Sequence, residues 1–284
     1  MYSIQRKLLQ RLSAACPLCG LAARGGDVCA GCTSDLAEYV DACARCAACL
    51  EALLPPSASA APSNLSKTAA KAAPAALAAP ADAADAGDGS NKASATLCWR
   101  CQRHPPAYSS LVAAIGYTYP GAMLIKRFKD GARLAYAGLF ARLLWGRLQA
   151  RAVGDSNHAQ LSALVPIPSS QSALRRRGFN PAGELARELA RISGYPLQHN
   201  WLRRTRETST QKTLDARARR NSVQGLYVCA SALPRVWIGV VDDVVTTGST
   251  MDTAARALLS AGASGVIGLA AAHTPRTWQN DTYD

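Results

Sequence analysis

The chain has 284 residues, 32 Lys and Arg against 19 Asp and Glu, a formal net charge of +13 and ten cysteines. That length suits roughly two domains at about 150 residues each, and the positive balance points to an anionic partner: nucleic acid, a phosphorylated small molecule or an acidic surface. No uninterrupted apolar run is long enough to span a bilayer, Gln10 and Arg11 interrupt any signal-like core at the start, and the cysteine usage suits a reducing, cytoplasmic compartment.

The first region, residues 1–50 with 98–106, reads as a zinc-ribbon module. Nine of the ten cysteines lie at or before Cys101. Cys16/Cys19, Cys29/Cys32, Cys43/Cys46 and Cys98/Cys101 form C-x-x-C knuckles. Each puts two thiolates on one tight turn, and two knuckles complete a tetrahedral site for a structural zinc. In CPLCG, Gly20 lets the backbone curl. In CARCAAC, Cys46-Ala-Ala-Cys49 competes with Cys43/Cys46, the pairing expected here. Sequential ribbons group 16/19/29/32 and 43/46/98/101, for one or two structural zincs; an interleaved arrangement, an iron–sulfur cluster and His104 as a substitute ligand stay open. Residues 51–97 are rich in Ala, Pro and Ser and lack aromatics. They read as a disordered insertion, spanning about 40 Å as a flexible coil.

Residues 107–275 alternate strand and helix signals, with a flexible tail at 276–284. LVAAIGYTY (111–119) reads as a strand. Helical spacing follows over 120–148, broken near Asp130-Gly131, and SALVPIP (162–168) is a short buried strand. NPAGELARELARIS (180–193) is a helix capped by Asn180, with Pro181 at its first position and Gly194 after its end. SVQGLYV (222–228) and VWIGVVDD (236–243) are strands, TMDTAARALLSAGA (250–263) a helix and SGVIGLAAA (264–272) a last strand. Near-continuous apolar strands alternating with helices give an α/β fold, a parallel sheet flanked by helices.

VVDDVVTTGST (240–250) carries the chemistry. Ligands of open α/β sheets bind beyond the carboxyl ends of the strands, and Val236–Val241 would end on Asp242-Asp243. Thr246, Thr247, Gly248, Ser249 and Thr250 then bend into a helix. A helix start after a small-residue turn offers N–H groups and a positive dipole end to phosphate. Gly248 allows close backbone approach. The acids suit sugar hydroxyls or a bridging metal, so the combination describes a ribose 5-phosphate site. No G-x-x-x-x-G-K-[ST] or G-x-G-x-x-G occurs. Pro168, Ser169 and Ser170 in VPIPSS offer a second loop of donors. Lys126 and Lys129 in LIKRFKDGAR read as a wet surface, and Arg175, Arg176 and Arg177 read equally as phosphate contacts or a solvated helix end.

The 240–250 stretch resembles the phosphoribosyl-pyrophosphate (PRPP) signature of type I phosphoribosyltransferases. The resemblance implies that Asp242 and Asp243 hold the ribose 2′- and 3′-hydroxyls, with Mg²⁺ bridging to the diphosphate. It implies that Thr246–Thr250 cradle the 5-phosphate and that Pro168, Ser169 and Ser170 sit at the diphosphate loop. Thr246 stands where some purine enzymes of this class carry an acidic base, so no catalytic acid–base residue is identified. Arg203, Arg204, Arg206, Lys212, Arg217, Arg219 and Arg220 fall where the class has a mobile basic loop over the diphosphate; they equally suit a nucleic-acid backbone. The order cysteine module, LIKRFK, VPIPSS…RRRGFN, RRTRETSTQKTLDARARRN, VVDDVVTTGST is similar to the ComF/GntX family, linked to bacterial competence and use of external DNA. It implies phosphoribosyl transfer to a nitrogen nucleophile or, as the other reading, a non-catalytic nucleotide- and single-stranded-DNA-binding protein working with DNA-uptake partners.

Overall fold

The computed structural model describes residues 13–24, 28–41, 45–51, 97–153, 156–205 and 225–274. The insertion expected over 51–97 lies outside them except at its two ends, and so does the tail. No helix among the described residues is long and apolar enough to cross a membrane.

Four strands form a parallel sheet: β3 (Ser110–Gly116), β4 (Leu161–Pro166), β7 (Trp237–Val245) and β8 (Gly265–His273), in the order β3-β8-β7-β4. β1 (Ser13–Ala15) pairs antiparallel with β2 (Ala22–Arg24), and β5 (Leu202–Arg204) with β6 (Tyr227–Cys229). The helices are α1 (Ala30–Asp41), α2 (Trp99–Arg103), α3 (Gly121–Lys129), α4 (Ala135–Ala152), α5 (Ser156–Ala159), α6 (Gln171–Arg177), α7 (Pro181–Ser193) and α8 (Ser249–Ser260). β8 is buried at all nine positions, as expected of a central strand covered on both faces.

Strand alternation sends side chains to two core layers. Val112, Ala114, Leu164, Val241, Ile267 and Leu269 face α4 and α7. Leu111, Ala113, Val165, Val240 and Ala270 share the other layer with Met251, Ala254 and Leu258 of α8 and with Tyr227 of β6. Phe128 of α3 meets Phe140 of α4 edge-on, centroids 5.7 Å apart, a geometry worth about 0.5–1.5 kcal/mol beyond area burial. The same ring touches Phe179 just before α7. These contacts seat α3 beside the carboxyl end of β7.

Gly194 closes α7 in the left-handed region, φ +79°, its N–H bonding Ala190 O. Asn180 differs from the expected cap. Its side chain makes no cap bond; Nδ2 donates to Ile167 O at 3.0 Å, and Oδ1 accepts from Ser169 Oγ at 2.8 Å. Both ends of the asparagine amide are taken up in bracing the loop after β4, which leaves none for the helix's first turn. The strand expected over 222–228 is described only from 225; β6 is confined to Tyr227–Cys229.

Candidate functional site

β7 continues past the point where the sequence suggested it would end. β4 stops at Pro166, opposite Val241, and Ile167 N closes the ladder on Val241 O at 2.8 Å. β8 runs on beside β7 until His273 faces Val245. Asp242 and Asp243 therefore lie inside the strand, on a stretch with a sheet neighbour on one side only among the described residues. The open side is where β4 has ended.

Asp242 Oδ1 accepts the Asp243 N–H at 2.8 Å, and Asp243 Oδ1 accepts the Val244 N–H at 2.7 Å. Burial first, and then the adjacent Asp243 charge, push the Asp242 carboxyl well above the ordinary carboxylate range, against the opposing Asp243 N–H and Lys129 ammonium. Asp243 is matched by a cation: Lys129 Nζ lies 2.8 Å from Oδ2. Lys129 thus belongs to the site rather than to a wet surface, while Lys126 is exposed. Nothing local in the sequence signals a pairing across so long a stretch of chain.

After Val245 the chain turns through exposed Thr246 and half-buried Thr247 to Gly248, at φ +77°. The Thr247 and Ser249 hydroxyls lie 2.9 Å apart, and Ser249 N bonds Thr247 Oγ1 at 3.4 Å. Gly248 makes no side-chain cap, and its O accepts Asp252 N at 2.8 Å to begin α8. A helix start of this kind leaves backbone N–H groups to be met by an external acceptor. A Cβ at Gly248 would also meet the Tyr108 hydroxyl at 2.7 Å, so glycine is required here twice over.

Across the open side lies Pro168-Ser169-Ser170. Ser169 is engaged with Asn180, and Ser170 caps α6 by accepting Ala173 N at 3.2 Å. Arg177 Nε is buried, 4.0 Å from Asp130 Oδ1 and without a hydrogen bond among the described residues. Arg175 and Arg176 are exposed. Of the expected basic loop, Arg203 is exposed and Arg204 half-buried on β5; Arg206, Lys212, Arg217, Arg219 and Arg220 lie outside the described residues. Tyr227, next to Arg204 in the β5–β6 pair, is buried, and its phenol is pushed up to about 12. Burial is the main cause and the Asp242 charge the next, with Arg204 pulling the other way. Tyr227 therefore stands near the acid pair, a neighbour that sequence reading did not single out.

Among the described residues, eight cysteines form two groups of four, all ligand atoms in each within 4.8 Å of one another: Cys16, Cys19, Cys29, Cys32, and Cys46, Cys49, Cys98, Cys101. Tetrahedral Zn–S bonds of about 2.3 Å put sulfurs roughly 3.8 Å apart. Cys19 and Cys29 lie 3.5 Å apart and Cys49 and Cys98 3.7 Å, so both groups fit a closed structural zinc. Cys49 replaces the expected Cys43, which lies outside the described residues. The reason is the knuckle: Leu50 N bonds Cys46 O and Cys46 N bonds Glu51 O, both at 2.9 Å. Gly20 N to Cys16 O and Cys16 N to Leu21 O repeat that pattern in the first group. Each group also holds one thiol low. The Cys49 hydrogen bond brings Cys46 down to about 4. At Cys16 burial works upward, and the Cys29, Cys19 and Leu18 N–H donors outweigh it to leave about 6. His104 is exposed and belongs to neither group.

No family model matches the chain. Over 171 residues it is 35% identical to the DNA utilization protein YhgH of Salmonella typhimurium, covering 60% of this chain and 74% of that protein. Over 169 residues it is 32% identical to Competence protein F of Haemophilus influenzae, covering 58% and 73%. A purine phosphoribosyltransferase from Pyrococcus horikoshii superposes on 50% of this chain and 93% of its own at 14% identity, with a TM-score of 0.24, too low to carry an argument. The identity and coverage shared with the first two relatives settle the family: the chain belongs to the ComF family of competence and DNA utilization proteins.

Proposed function

We propose that the protein binds PRPP with Mg²⁺ and transfers its phosphoribosyl group to a nitrogen nucleophile, in the DNA utilization and competence that the relatives' names give. One observation carries this reading. The end of β7, flanked by β8 alone among the described residues, presents two carboxylates and leads straight into a left-handed Gly248 and a helix start without a side-chain cap from Gly248. Carboxylates accept from ribose hydroxyls, and the turn's N–H and hydroxyl groups donate to the 5-phosphate. Mg²⁺, when brought in with the diphosphate, would neutralise charge developing on the leaving group. Lys129 is the protein's own cation at this point. Once ribose hydroxyls engage Asp243, its ammonium is free to face the diphosphate on the side of Pro168–Ser170. The exposed start of Arg203-Arg204 suits the same charge.

Calorimetric titration of PRPP with Mg²⁺, and then diphosphate release measured with a panel of bases, test binding and turnover separately. Binding without release for any base would leave a nucleotide-binding protein.

A second reading, single-stranded-DNA binding, has its own support. Trp99 is 56% exposed beside the second cysteine group, with the Arg100 guanidinium 5.8 Å over its ring and Arg103 a turn away. An exposed ring among arginines is a stacking platform for bases with contacts for phosphates. Trp99→Ala should weaken binding of a short oligonucleotide about tenfold, on the basis of about 1–3 kcal/mol per stacked base, and leave PRPP affinity unchanged.

A further inference from the structure

The second cysteine group forms a small cluster of its own with Ala48, and Leu50 ties it to the core layer of α8 at the same place as the phosphate turn. Leu111 N of β3 donates to Ala47 O, between Cys46 and Cys49, at 3.0 Å. Leu50, next in the knuckle, is 1% exposed and shares a core with Tyr108, Val245 and Met251. The chain leaving Cys101 reaches α8, where Ala107 N donates to Asp252 Oδ1 at 2.6 Å in the helix's first turn. Tyr108 follows, 4% exposed, with its hydroxyl against Gly248. A single small recess is lined by Cys49, Glu51, Tyr108, Leu111 and the Val245–Gly248 turn. The first group packs elsewhere, with Cys16 in the layer of Phe128 and Leu36.

We propose that the Cys46, Cys49, Cys98 and Cys101 centre positions the phosphate turn: with its metal bound, it sets Tyr108 against Gly248 and holds the turn's N–H groups in the arrangement that receives a phosphate monoester. The proposal rests on the reading of this turn as a phosphate site. Without the metal, four thiolates no longer hold the knuckle to α2, and the segment leading to Tyr108 loses its anchor. Tyr108 is a positioning residue, acting through Gly248. The phosphate turn is therefore a composite, its inner side supplied by β7 and α8 and its backing by the cysteine module.

The test uses the full zinc-loaded chain, ribose 5-phosphate as the probe, and amide hydrogen exchange over Thr246–Thr250. Cys98→Ser should lose one zinc, lower ribose 5-phosphate affinity at least tenfold and speed exchange in the turn, with α7 still protected. Cys19→Ser, in the first group, should stay within twofold of the parent. Tyr108→Phe, which keeps the ring, should stay within threefold, while Tyr108→Ala should fall as far as Cys98→Ser and serves in its place should that variant not fold. Equal losses for Cys19→Ser and Cys98→Ser, or a zinc-depleted Cys98→Ser that keeps affinity and turn protection, would overturn the proposal. Should the parent bind no ribose 5-phosphate, the site reading fails by itself, and the exchange comparison still decides the coupling.

Discussion

The two cysteine centres share one backbone construction and differ in what they are packed against. In both, the residue after the second cysteine takes a left-handed turn: Gly20 at φ +76° and Leu50 at φ +60°. Gly20 is exposed and has nothing within 4 Å of a would-be Cβ, whereas Leu50 is buried. A leucine held left-handed costs about 1–2 kcal/mol, and its full burial contributes about 1.5–3 kcal/mol. The strain at Leu50 is thus tolerable only because its side chain docks the centre onto the core. The first centre reaches α3 through Arg127 Nη1 on Pro17 O at 3.3 Å, two residues from Lys129. Each centre accordingly stands behind a different end of the candidate ligand: the second behind the phosphate turn, the first behind the helix bearing the diphosphate-side cation. A metal knuckle is a generic local device, and its role is set by its neighbours.

The largest difference should appear on metal loss. Cys46→Ser, at a site with no exposure, should cost several kcal/mol of stability, because zinc affinity in such centres is folding free energy. Exposed Cys19→Ser should cost markedly less; denaturant unfolding beside zinc stoichiometry compares them. Next, Leu50→Gly should destabilise by about 2–4 kcal/mol, because lost packing outweighs relieved strain. Gly20→Leu should cost only about 1–2 kcal/mol, the left-handed strain alone, in an open turn. Equal costs for the two exchanges would break the contrast between a docked and an exposed knuckle.

Lys129→Met should separate the two ends of the ligand. PRPP affinity should fall about tenfold or more, and ribose 5-phosphate affinity should hold or rise slightly, since removing the ammonium frees Asp243. Loss of both in parallel would make Lys129 structural. The smallest effect is on stability. Asp242 holds its proton more tightly folded than unfolded, so the ligand-free protein loses stability as pH rises from the unfolded carboxylate value, about 3.9, through the raised folded value. Asp242→Asn should remove that slope and raise the melting temperature at neutral pH, by about 2–4 °C per kcal/mol gained, while weakening PRPP binding. Strain of this kind is characteristic of sites kept for function.

What could be read along the chain, and what could not, follows the range of the interaction. The course of α7 was legible because its apolar spacing, Pro181 and Gly194 all act within a few residues. The acids and the turn of 240–250 were legible as a contiguous pattern. Cys49 was not, since CARCAAC supports two spacings and its knuckle is held by Leu50 packing in one core with Tyr108, Val245 and Met251, all far along the chain. Lys129 with Asp243, Tyr108 with Gly248 and Asn180 with the loop after β4 are tertiary contacts, and no local period records them. The extension of β7 beyond its acids depends on β8 continuing while β4 stops at Pro166, a property of the sheet rather than of either strand.

The central claim, that the end of β7 and the start of α8 grip a phosphoribosyl ester, is tested most directly by titrating PRPP with Mg²⁺ into the parent and into Asp243→Asn. Binding at one site per chain, weakened more than tenfold in the variant with the fold intact, is the predicted result. No measurable binding to the parent, or equal affinity in the two proteins, would contradict it.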